Sequence, residues 1–376
     1  MKTKAAVLHS TDKPRPYAAS TPLIIEELDL FEPGPTCVLV EVAAAGLCHS
    51  DLSVINGSRP RPMPMVLGHE ASGIIRHVGS QVDHLAPGDH VVFSYVPACG
   101  RCLYCATAHP ALCENGAKTN LAGTLLDGKR YLSDRAGRPV HHHLGVSAFS
   151  EFTVAAAESV IKIDPDVPLE IAALFGCAVL TGVGAVINTA RVEPGSSVAV
   201  FGLGGVGLSA VMGAVLAGAE TILAIDPLKH KLELARSLGA THALPSGNDI
   251  VSKIRELSKG GVDYAFESTG IGSVMATAYE STRRGGTTIT ASLPAPSERF
   301  ALPITNLVAE ERTVKGSFMG SAVPKRDIPR LIALHQAGRL PVEKLVTGTI
   351  QLEEMNTAFD RLATGEATRQ LLQFHS

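Results

Sequence analysis

The chain has 376 residues, which exceeds the usual size of one domain, so we expect two domains. Its 33 basic and 36 acidic residues give a net charge of −3 and form no long run of either sign, which excludes an obvious nucleic-acid or anionic-membrane surface. The amino terminus lacks a signal-peptide core, and no stretch of about 18 uninterrupted apolar residues occurs. We therefore expect a cytoplasmic protein without a membrane span.

The first third of the chain predicts an irregular, mostly β domain, because strand-like runs alternate with turns rich in glycine and proline. The clearest runs cover residues 37–42, 74–78 and 90–95. From about residue 171, apolar strands and helices alternate, which predicts a parallel, doubly wound α/β sheet. We expect strands at residues 198–201, 221–226, 262–267 and 287–291, and helices at residues 205–217 and 229–238. The tail beyond about residue 317 mixes both and could rejoin the first domain.

Four of the seven cysteines lie within fifteen residues: Cys99, Cys102, Cys105 and Cys113. In a reducing compartment such clustering favours metal binding over disulfides. Four thiolates surround one ion tetrahedrally and leave no position for water, which is typical of a structural zinc. An iron–sulfur cluster uses the same ligands but usually at other spacings. Two disulfides are the other alternative, and the absent secretory signal argues against them.

A glycine-rich turn follows an apolar strand and opens an apolar helix: Gly202, Leu203, Gly204, Gly205, Val206 and Gly207. In a dinucleotide site the first glycine permits the tight turn, the second lets the backbone approach a pyrophosphate, and the last lets helix and strand pack closely. The helix amino terminus then faces the phosphates. The alternative is an ordinary glycine-rich turn in an α/β domain.

Asp226 ends the next strand, nineteen residues after Gly207. Its carboxylate would accept hydrogen bonds from the adenosine ribose and repel the 2′-phosphate of NADP, which favours NAD. Lys231 could reach the ribose or be an ordinary surface lysine on the following helix.

Three further residues are candidate metal ligands: Cys48, His69 and Cys177. Each alone is more simply explained as an ordinary buried cysteine or histidine, and spacing cannot join residues so far apart. Together, two thiolates and one imidazole would hold a zinc with its fourth position open, the kind of site that polarises an alcohol oxygen.

Several segments stand in a fixed order along the chain: GLCHSD, GHEASG, the four-cysteine segment, HHHLG, GCAVLTG, FGLGGVG, AIDPLKHK and GEATRQLL. In order and spacing they resemble the zinc-dependent medium-chain alcohol dehydrogenases, of class I and class III type. The resemblance implies a GroES-like β catalytic domain around a central Rossmann coenzyme domain. We expect residues 1–178 and 318–376 to form the former and residues 179–317 the latter.

The resemblance also implies roles for individual residues. Cys48, His69 and Cys177 match the ligands of a catalytic zinc, and the four clustered cysteines match those of a structural zinc, giving two zinc ions per subunit. The remaining matches to the catalytic centre are Ser50 as the hydroxyl that bonds the substrate oxygen and begins a proton relay, Asp51 as the carboxylate behind the histidine ligand, and Glu70 as a buried carboxylate behind the zinc.

Cofactor contacts follow from the same resemblance. His49 and Arg369 match a cationic pair on the pyrophosphate, and Thr181 matches a residue beside the nicotinamide. The backbone that bonds the carboxamide corresponds to Ala291, Ser292 and Leu293. Three further side chains match substrate-pocket positions: Tyr95, His143 and Leu144.

Ser53 departs from the pattern, because many members carry a histidine there as the exit of the proton relay. A hydroxyl passes a proton onward but does not store one near neutral pH. We therefore expect the relay to run through Ser50, the nicotinamide ribose and Ser53.

The resulting hypothesis is a reversible, NAD-linked alcohol dehydrogenase that forms a zinc alkoxide and transfers a hydride to give an aldehyde or ketone. The alternative on the same scaffold is a thiol-conjugate dehydrogenase acting on a formaldehyde adduct. Glutathione-dependent relatives carry acidic residues where residues 56–59 read Asn-Gly-Ser-Arg, followed by Arg61. This opposite charge argues against a glutathione conjugate and leaves an anionic or another thiol-carried substrate open.

Two other interpretations fit less well. A non-enzymatic, crystallin-type NADPH-binding protein would typically lack the zinc ligands, and polyol dehydrogenases often have glutamate in place of Cys177. The expected partner is a small-molecule alcohol or aldehyde. The long segment at residues 114–141 favours a homodimer over a tetramer. The sequence specifies neither the alcohol nor the physiological direction.

Overall fold

A computed structural model describes residues 1–374 of the chain, which divides into two compact units. Of the described residues, the terminal unit contains Met1–Cys177, Val323–Ala333 and residues 346–374. The central unit contains Ala178–Ala322 and Leu334–Leu345. This division corrects the expected limits, since residue 178, residues 318–322 and Leu334–Leu345 group with the central unit.

Local contacts explain the reassignment of the segment around residue 320. The side-chain amide of Asn188 donates to the carbonyl oxygen of Gly320 at 3.1 Å. A Cβ on Gly184 would lie 2.6 Å from that same oxygen, so the two backbones approach closely. The Lys344 ammonium likewise donates to the carbonyl of Ser237 at 3.3 Å. These contacts join non-adjacent segments, which a linear pattern does not reveal.

The amino-terminal part of the terminal unit is mostly β structure. Its strands are β1 Lys2–Leu8, β2 Leu23–Leu30, β3 Cys37–Gly46, β4 Met65–Val66, β5 Glu70–Val78, β6 His90–Phe93, β7 Leu132–Ser133, β8 Pro139–His142, β9 Phe152–Ala156 and β10 Val160–Lys162. Its helices are α1 Tyr17–Ser20, α2 His49–Ile55, α3 Leu103–Ala106, α4 Glu114–Ala122 and α5 Leu169–Ala172, with 3-10 turns at Pro110–Leu112, Ala157–Ser159 and Ala173–Gly176.

Strands β1, β2, β7, β8 and β4 close into a small barrel, and β10, β6, β5 and β3 belong to a second sheet, in which β9 also pairs with β3. The first half of strand β1 has the alternation of a half-buried strand. Its lysines Lys2 and Lys4 face solvent, while Thr3 and Ala5 are buried. The barrel interior is filled by apolar side chains such as Val7, Leu28 and Leu132.

The central unit alternates helix and strand as expected. Its elements are α6 Ala178–Gly184, a π-helical turn Ala185–Ala190, β11 Ser197–Phe201, α7 Gly205–Leu216, β12 Thr221–Asp226, α8 Lys229–Ser237, β13 His242–Pro245, α9 Ile250–Leu257, β14 Val262–Glu267, α10 Gly272–Glu280, β15 Thr282–Thr290, α11 Ile304–Ala309, β16 Thr313–Gly316 and a 3-10 turn Met319–Ser321. The sheet order is β13-β12-β11-β14-β15-β16, and every pairing is parallel.

The strand order of this sheet reverses between β11 and β14, so connections leave in opposite directions at the carboxyl ends of these strands. In doubly wound sheets ligands bind at this crevice. Strands β11 and β12 are almost wholly apolar and buried, as expected when helices cover both faces.

The carboxyl-terminal tail contains α12 Pro324–Gln336, 3-10 turns at Val342–Leu345 and Leu352–Glu354, β17 Val346–Ile350, α13 Met355–Thr364 and β18 Arg369–Gln373. Strand β18 pairs antiparallel with β3, with Leu371 opposite Gly46, so the end of the chain does rejoin the first domain. Among the described residues, no single helix has the length and apolar composition to cross a membrane; only Leu169–Gly176 and Ala178–Ala190 taken together reach it.

Candidate metal centres and cofactor site

Three separated segments of the terminal unit bring Cys48, His69 and Cys177 together. One ligand atom from each lies within 4.8 Å of the others, and all three side chains are buried. Cys48 precedes α2, His69 precedes β5, and Cys177 follows the 3-10 turn Ala173–Gly176. The sequence-predicted ligand set is therefore a geometric cluster, and its donor types, two thiols and one imidazole, are those of zinc.

Gly68 explains why the histidine occupies its position. Its φ of +89° lies in the left-handed region, and a Cβ there would meet the Phe149 side chain at 2.6 Å. Only glycine permits this turn into β5 without strain. The glycine before His69 thus sets the direction in which the imidazole leaves the backbone.

Asp51 is fully buried in α2 and holds the imidazole of His69. Its Oδ1 accepts hydrogen bonds from His69 Nδ1 and from the Gly68 N–H, both at 3.1 Å. Nδ1 of His143 lies 3.1 Å from the same oxygen. Burial alone would raise the pKa of Asp51, but the two histidines bring it down to about 2. A bond at Nδ1 leaves Nε2 of His69 for a metal, the arrangement that fixes the tautomer of a histidine ligand.

Glu70 and Arg369 form a buried ion pair beside the thiols, with Arg369 Nε 3.3 Å from Glu70 Oε1. The guanidinium also donates from Nη1 to the carbonyl of Leu47 at 2.6 Å. Burial lowers the pKa of Arg369, but the negative charges of Glu70, Cys48 and Cys177 together raise it by more than burial lowers it. The guanidinium therefore stays charged. Gly46 makes room for this pair, since a Cβ there would lie 2.3 Å from Glu70 Oε1.

The two buried thiols lie close enough for each to shift the pKa of the other. Their mutual hydrogen bond lowers the pKa of Cys48 well below its usual value and raises that of Cys177. Arg369 and His69 also favour the Cys48 thiolate. Positive charge beside these sulfur atoms favours their thiolate form. Because the thiolate is the form of cysteine that binds metals, this environment suits a metal-binding centre.

The four clustered cysteines also converge, with their sulfur atoms within 4.8 Å of one another. Cys113 caps the amino terminus of α4, where its sulfur accepts the N–H of Gly116 at 3.3 Å, and it also accepts the N–H of Cys99 at 3.3 Å. The Asn115 amide donates to the sulfur of Cys99 at 3.2 Å. Such N–H···S bonds stabilise thiolates and fit a closed four-sulfur zinc site.

The protonation of these four thiols differs from one to the next. Burial raises the pKa of Cys99, but hydrogen bonds from Arg101 and Asn115 bring it down to about 6. Burial raises the pKa of Cys105 to about 12, and its neighbours Cys102 and Cys113 add to the rise. Four adjacent thiolates need a cation to coexist, and a zinc ion bound there would supply that charge.

Ser50, His49 and Ser53 lie on α2 next to the three-residue centre. Ser50 is half-buried and His49 is exposed. The Ser53 hydroxyl donates to the backbone carbonyl of His49 at 2.8 Å. Ser53 is therefore already hydrogen-bonded within its own helix, which bears on the predicted proton relay.

In the central unit the glycine turn has the shape that dinucleotide binding requires. Gly202 has φ +86°, and a Cβ on Gly207 would lie 1.8 Å from the Gly202 carbonyl oxygen, so both positions require glycine. Nothing lies within 4 Å of a Cβ on Gly204, which leaves the backbone open to a ligand. The first α-helical bond of α7 runs from Leu208 N to Gly204 O, so the N–H groups of Gly205, Val206 and Gly207 point outward.

Asp226 is buried and bridges this turn to the next. Its Oδ2 accepts the N–H of Leu203 at 2.8 Å and its Oδ1 accepts the N–H of Leu228 at 2.9 Å. Each oxygen keeps a lone pair for a further donor. Lys231 is only 8% exposed, so its interpretation as an ordinary surface lysine is wrong.

The remaining predicted cofactor contacts lie in the same unit. Thr181 is buried in α6, and its hydroxyl has no hydrogen-bond partner in residues 1–374. A Cβ on the adjacent Gly182 would lie 2.2 Å from the Val206 carbonyl oxygen, so α6 packs against the start of α7. Residues 291–293 leave the carboxyl end of β15, with Ala291 and Ser292 half-buried and Leu293 exposed.

The sequence interpretation missed the side chains that brace this edge of the sheet. The Ser268 hydroxyl donates to the carbonyl of Gly202 at 2.6 Å. Buried Glu267 accepts from the backbone N–H of Gly270 at 2.7 Å and from the Thr290 hydroxyl at 2.8 Å. Their position at the carboxyl end of the buried strand β14 was the only available signal.

Comparison with known proteins agrees with this geometry. A family model described as an alcohol dehydrogenase GroES-like domain matches residues 34–165, and one described as a zinc-binding dehydrogenase matches residues 205–337. The chain is 41% identical over 377 residues to the NDMA-dependent alcohol dehydrogenase of Amycolatopsis methanolica, with 99% of each chain covered. The chain belongs to the zinc-dependent medium-chain alcohol dehydrogenase family.

Solved structures of this dehydrogenase family match along the whole chain. A zinc-binding-domain alcohol dehydrogenase from Burkholderia ambifaria has a TM-score of 0.94 at 39% identity, and both chains are covered completely. Benzyl alcohol dehydrogenase from Acinetobacter calcoaceticus has a TM-score of 0.92 at 34% identity, again over both whole chains. The predicted fold class, a GroES-like domain with a Rossmann-type parallel sheet, is confirmed, and the dehydrogenase is an oxidoreductase of the alcohol dehydrogenase type.

Proposed function

We propose that this dehydrogenase oxidises an alcohol reversibly to an aldehyde or ketone, with NAD as hydride acceptor, at a zinc held by Cys48, His69 and Cys177. The observation that carries the proposal is the convergence of two thiols and one imidazole within 4.8 Å in a fully buried centre. Three protein ligands leave the open position that a catalytic zinc needs, whereas the four-cysteine cluster is closed.

Zinc bound there would act as a Lewis acid that lowers the pKa of the alcohol, and NAD would accept the hydride. The protein holds and moves the proton. Ser50 lies between Cys48 and Asp51 in sequence and is half-buried, and we propose that its hydroxyl receives the proton of the alcohol. Ser53 would have to release its bond to the His49 carbonyl before it could pass that proton on.

Asp226 supports NAD rather than NADP. Two backbone N–H bonds fix its carboxylate at the end of β12, beside the glycine turn. A fixed negative charge there accepts ribose hydroxyls and repels a phosphate. Thr181, Lys231 and residues 291–293 remain proposed cofactor contacts, as do His49 and Arg369. Arg369 would have to bind a pyrophosphate while paired with Glu70.

The decisive test is a rate assay of the zinc-loaded protein with primary, secondary and aromatic alcohols. NADH formation is expected with NAD and not with NADP, and Asp226→Ala should reduce that preference about tenfold or more. A lack of turnover with both NAD and NADP would contradict the NAD-linked reaction. Because the Amycolatopsis methanolica relative is named for its dependence on NDMA, the assay includes NDMA as a second acceptor.

A thiol-conjugate dehydrogenase is the second candidate function on the same centre. The rate of formaldehyde oxidation, measured with and without glutathione, distinguishes this candidate from the simple alcohol dehydrogenase. A rate that requires the thiol would favour the second candidate. Arg59, which stands in the stretch where glutathione-dependent relatives carry acidic residues, argues against glutathione as that thiol.

We also propose a homodimer in the cytoplasm, with no nucleic-acid or membrane partner. Size-exclusion chromatography with light scattering measures the mass of the oligomer directly. A mass of four chains would replace the dimer by a tetramer.

A further inference from the structure

Arg59 and Arg61 lie on the loop that joins α2 to β4 in the terminal unit. The loop is tied to the end of α2, because the N–H of Arg59 donates to the carbonyl of Ser53 at 2.9 Å. Both side chains are half-buried rather than extended into solvent. The loop therefore holds two guanidinium groups against the body of the unit.

These arginines share neighbours with the Cys48–His69–Cys177 centre. The Arg59 guanidinium interacts electrostatically with Tyr95 and with Cys48, and that of Arg61 interacts with His143. The rings of Tyr95 and His143 pack edge-on against the His69 ring, with centroid distances of 5.5 and 5.6 Å. Two positive charges thus lie near the side chains that surround the three-residue centre.

Neither guanidinium has a carboxylate partner within residues 1–374. No carboxylate lies within ion-pair distance of Arg59 or Arg61, and the Nε of Arg61 is buried without a hydrogen-bond partner. The more deeply buried arginines are paired: Arg312 contacts Glu310, and Arg369 contacts Glu70.

Burial of a charge is unfavourable unless the charge is paired. Burial lowers the pKa of both arginines, and the repulsion from Arg59 lowers that of Arg61 further. Arginine nevertheless remains charged at any physiological pH. An unpaired cationic couple beside a substrate-binding centre is therefore complementary to an anion.

We propose that the alcohol or aldehyde substrate carries an anionic group, a carboxylate or a phosphate, that binds to Arg59 and Arg61 while its reacting carbon lies at the Cys48–His69–Cys177 centre. This inference rests on the proposed dehydrogenase function and specifies its substrate class. The planar guanidinium fork suits both oxyanions, which it binds through paired N–H···O bonds.

A matched substrate series tests the inference with the zinc-loaded enzyme and the acceptor that supports turnover. The series compares 4-(hydroxymethyl)benzoate and 4-(hydroxymethyl)phenyl phosphate with two controls of the same shape: the neutral methyl ester of the benzoate and the cationic 4-(aminomethyl)benzyl alcohol. A flexible set, 6-hydroxyhexanoate against 1-hexanol, covers a different spacing between anion and carbinol. We expect kcat/KM to be about tenfold or more higher for one of the anions, chiefly through a lower KM. The preferred anion distinguishes carboxylate from phosphate.

Variants assign the preference to the two arginines. Arg59→Gln and Arg61→Gln should each reduce the ratio of kcat/KM for the anion over the neutral alcohol by about tenfold, and Arg61→Lys should reduce it less. Arg135→Gln is the matched control, because Arg135 is exposed elsewhere in the same unit. Calorimetric titration with benzoate and benzamide gives a readout independent of turnover. Only benzoate should bind, and Arg61→Gln should weaken it.

The outcomes separate this inference from the proposed function. Equal kcat/KM for neutral and anionic alcohols, or a preference that both glutamine variants retain, overturns the inference and leaves the dehydrogenase intact. Turnover of no alcohol in either set with NAD, NADP or NDMA contradicts the function itself. Should the glutamine variants be unstable, Arg61→Lys and the benzoate titration of the parent protein still decide the matter.

Discussion

The two cysteine centres of the terminal unit differ in how the chain builds them. The ligands of the four-cysteine cluster lie within fifteen residues, and three of the four are half-buried. Their immediate neighbours Gly116 and Asn115 donate hydrogen bonds to the sulfur atoms. The three-residue centre instead gathers Cys48 and Cys177, 129 residues apart (177 − 48), in a fully buried site.

Their supporting groups differ accordingly. The four-cysteine cluster relies on N–H···S bonds and has four sulfur donors, which suits a closed structural site. The three-residue centre is supported by Asp51 behind His69 and by the Glu70–Arg369 pair, and it has one ligand fewer. A locally built centre can stabilise the fold, whereas an open centre needs the whole unit to hold its ligands in place.

Removal of one ligand from the three-residue centre should have the largest effect on activity. We expect Cys48→Ala to reduce alcohol oxidation by about a thousandfold or more, because the loss of a ligand removes the Lewis acid. Elemental analysis should show the loss of one zinc per chain. Cys37→Ala is the control, since Cys37 is equally buried but its thiol has a pKa raised to about 11 by burial and lies outside both clusters. Oxidation by zinc-free Cys48→Ala would contradict the proposed site.

The matching change in the other centre should act on stability. Cys105→Ala is expected to remove the second zinc and to lower the free energy of unfolding by about 3 kcal/mol or more, because metal binding is coupled to folding. Chemical denaturation monitored by circular dichroism measures this. A Cys105→Ala protein that binds one zinc per chain and retains some turnover would support the four-cysteine cluster as a structural zinc site. An unchanged zinc content would overturn that assignment.

Asp51→Asn tests the support behind His69. The amide keeps the shape but removes the charge that faces the imidazole, so zinc at the three-residue centre should bind about 10–100-fold more weakly. Competition with a graded chelator series measures the affinity. The four-cysteine site serves as an internal control, and an equal loss from both sites would indicate general destabilisation instead.

Gly46→Ala should have the smallest effect of the four. Its new Cβ would lie 2.3 Å from Glu70 Oε1, so the Glu70–Arg369 pair must shift, at a cost of about 1–2 kcal/mol in unfolding free energy. Gly348→Ala in β17 is the control, because nothing lies within 4 Å of its Cβ position. If Gly46→Ala and Gly348→Ala have the same free energy of unfolding, the Glu70–Arg369 pair can shift without loss of stability.

Much of the central unit follows from its sequence, since buried parallel strands are apolar and glycine turns have few solutions. The expected strands at residues 221–226 and 262–267 coincide with β12 and β14. The assignment of residues 318–322 and Leu334–Leu345 required the structure, because their contacts with Asn188 and Ser237 join distant segments.

The candidate site shows the same contrast. The four-cysteine cluster and the glycine turn are local patterns, so spacing alone identified them. Cys48, His69 and Cys177 were joined only through the family resemblance. The proximity of His143 to Asp51 and the pairing of Arg369 with Glu70 depend on the packing of β18 and on the loop after β8. No pattern along the chain encodes such contacts.

The bond between Arg369 and Leu47 spans 322 residues. During synthesis the four clustered cysteines leave the ribosome together, and they can bind zinc long before Arg369 has been made. Strand β18 is made more than 250 residues after the four cysteines, and it carries the guanidinium that faces Cys48 and Glu70. We therefore expect the two metals to be acquired in a fixed order, the ion of the four-cysteine cluster first and that of the three-residue centre only after β18 has been made and has packed.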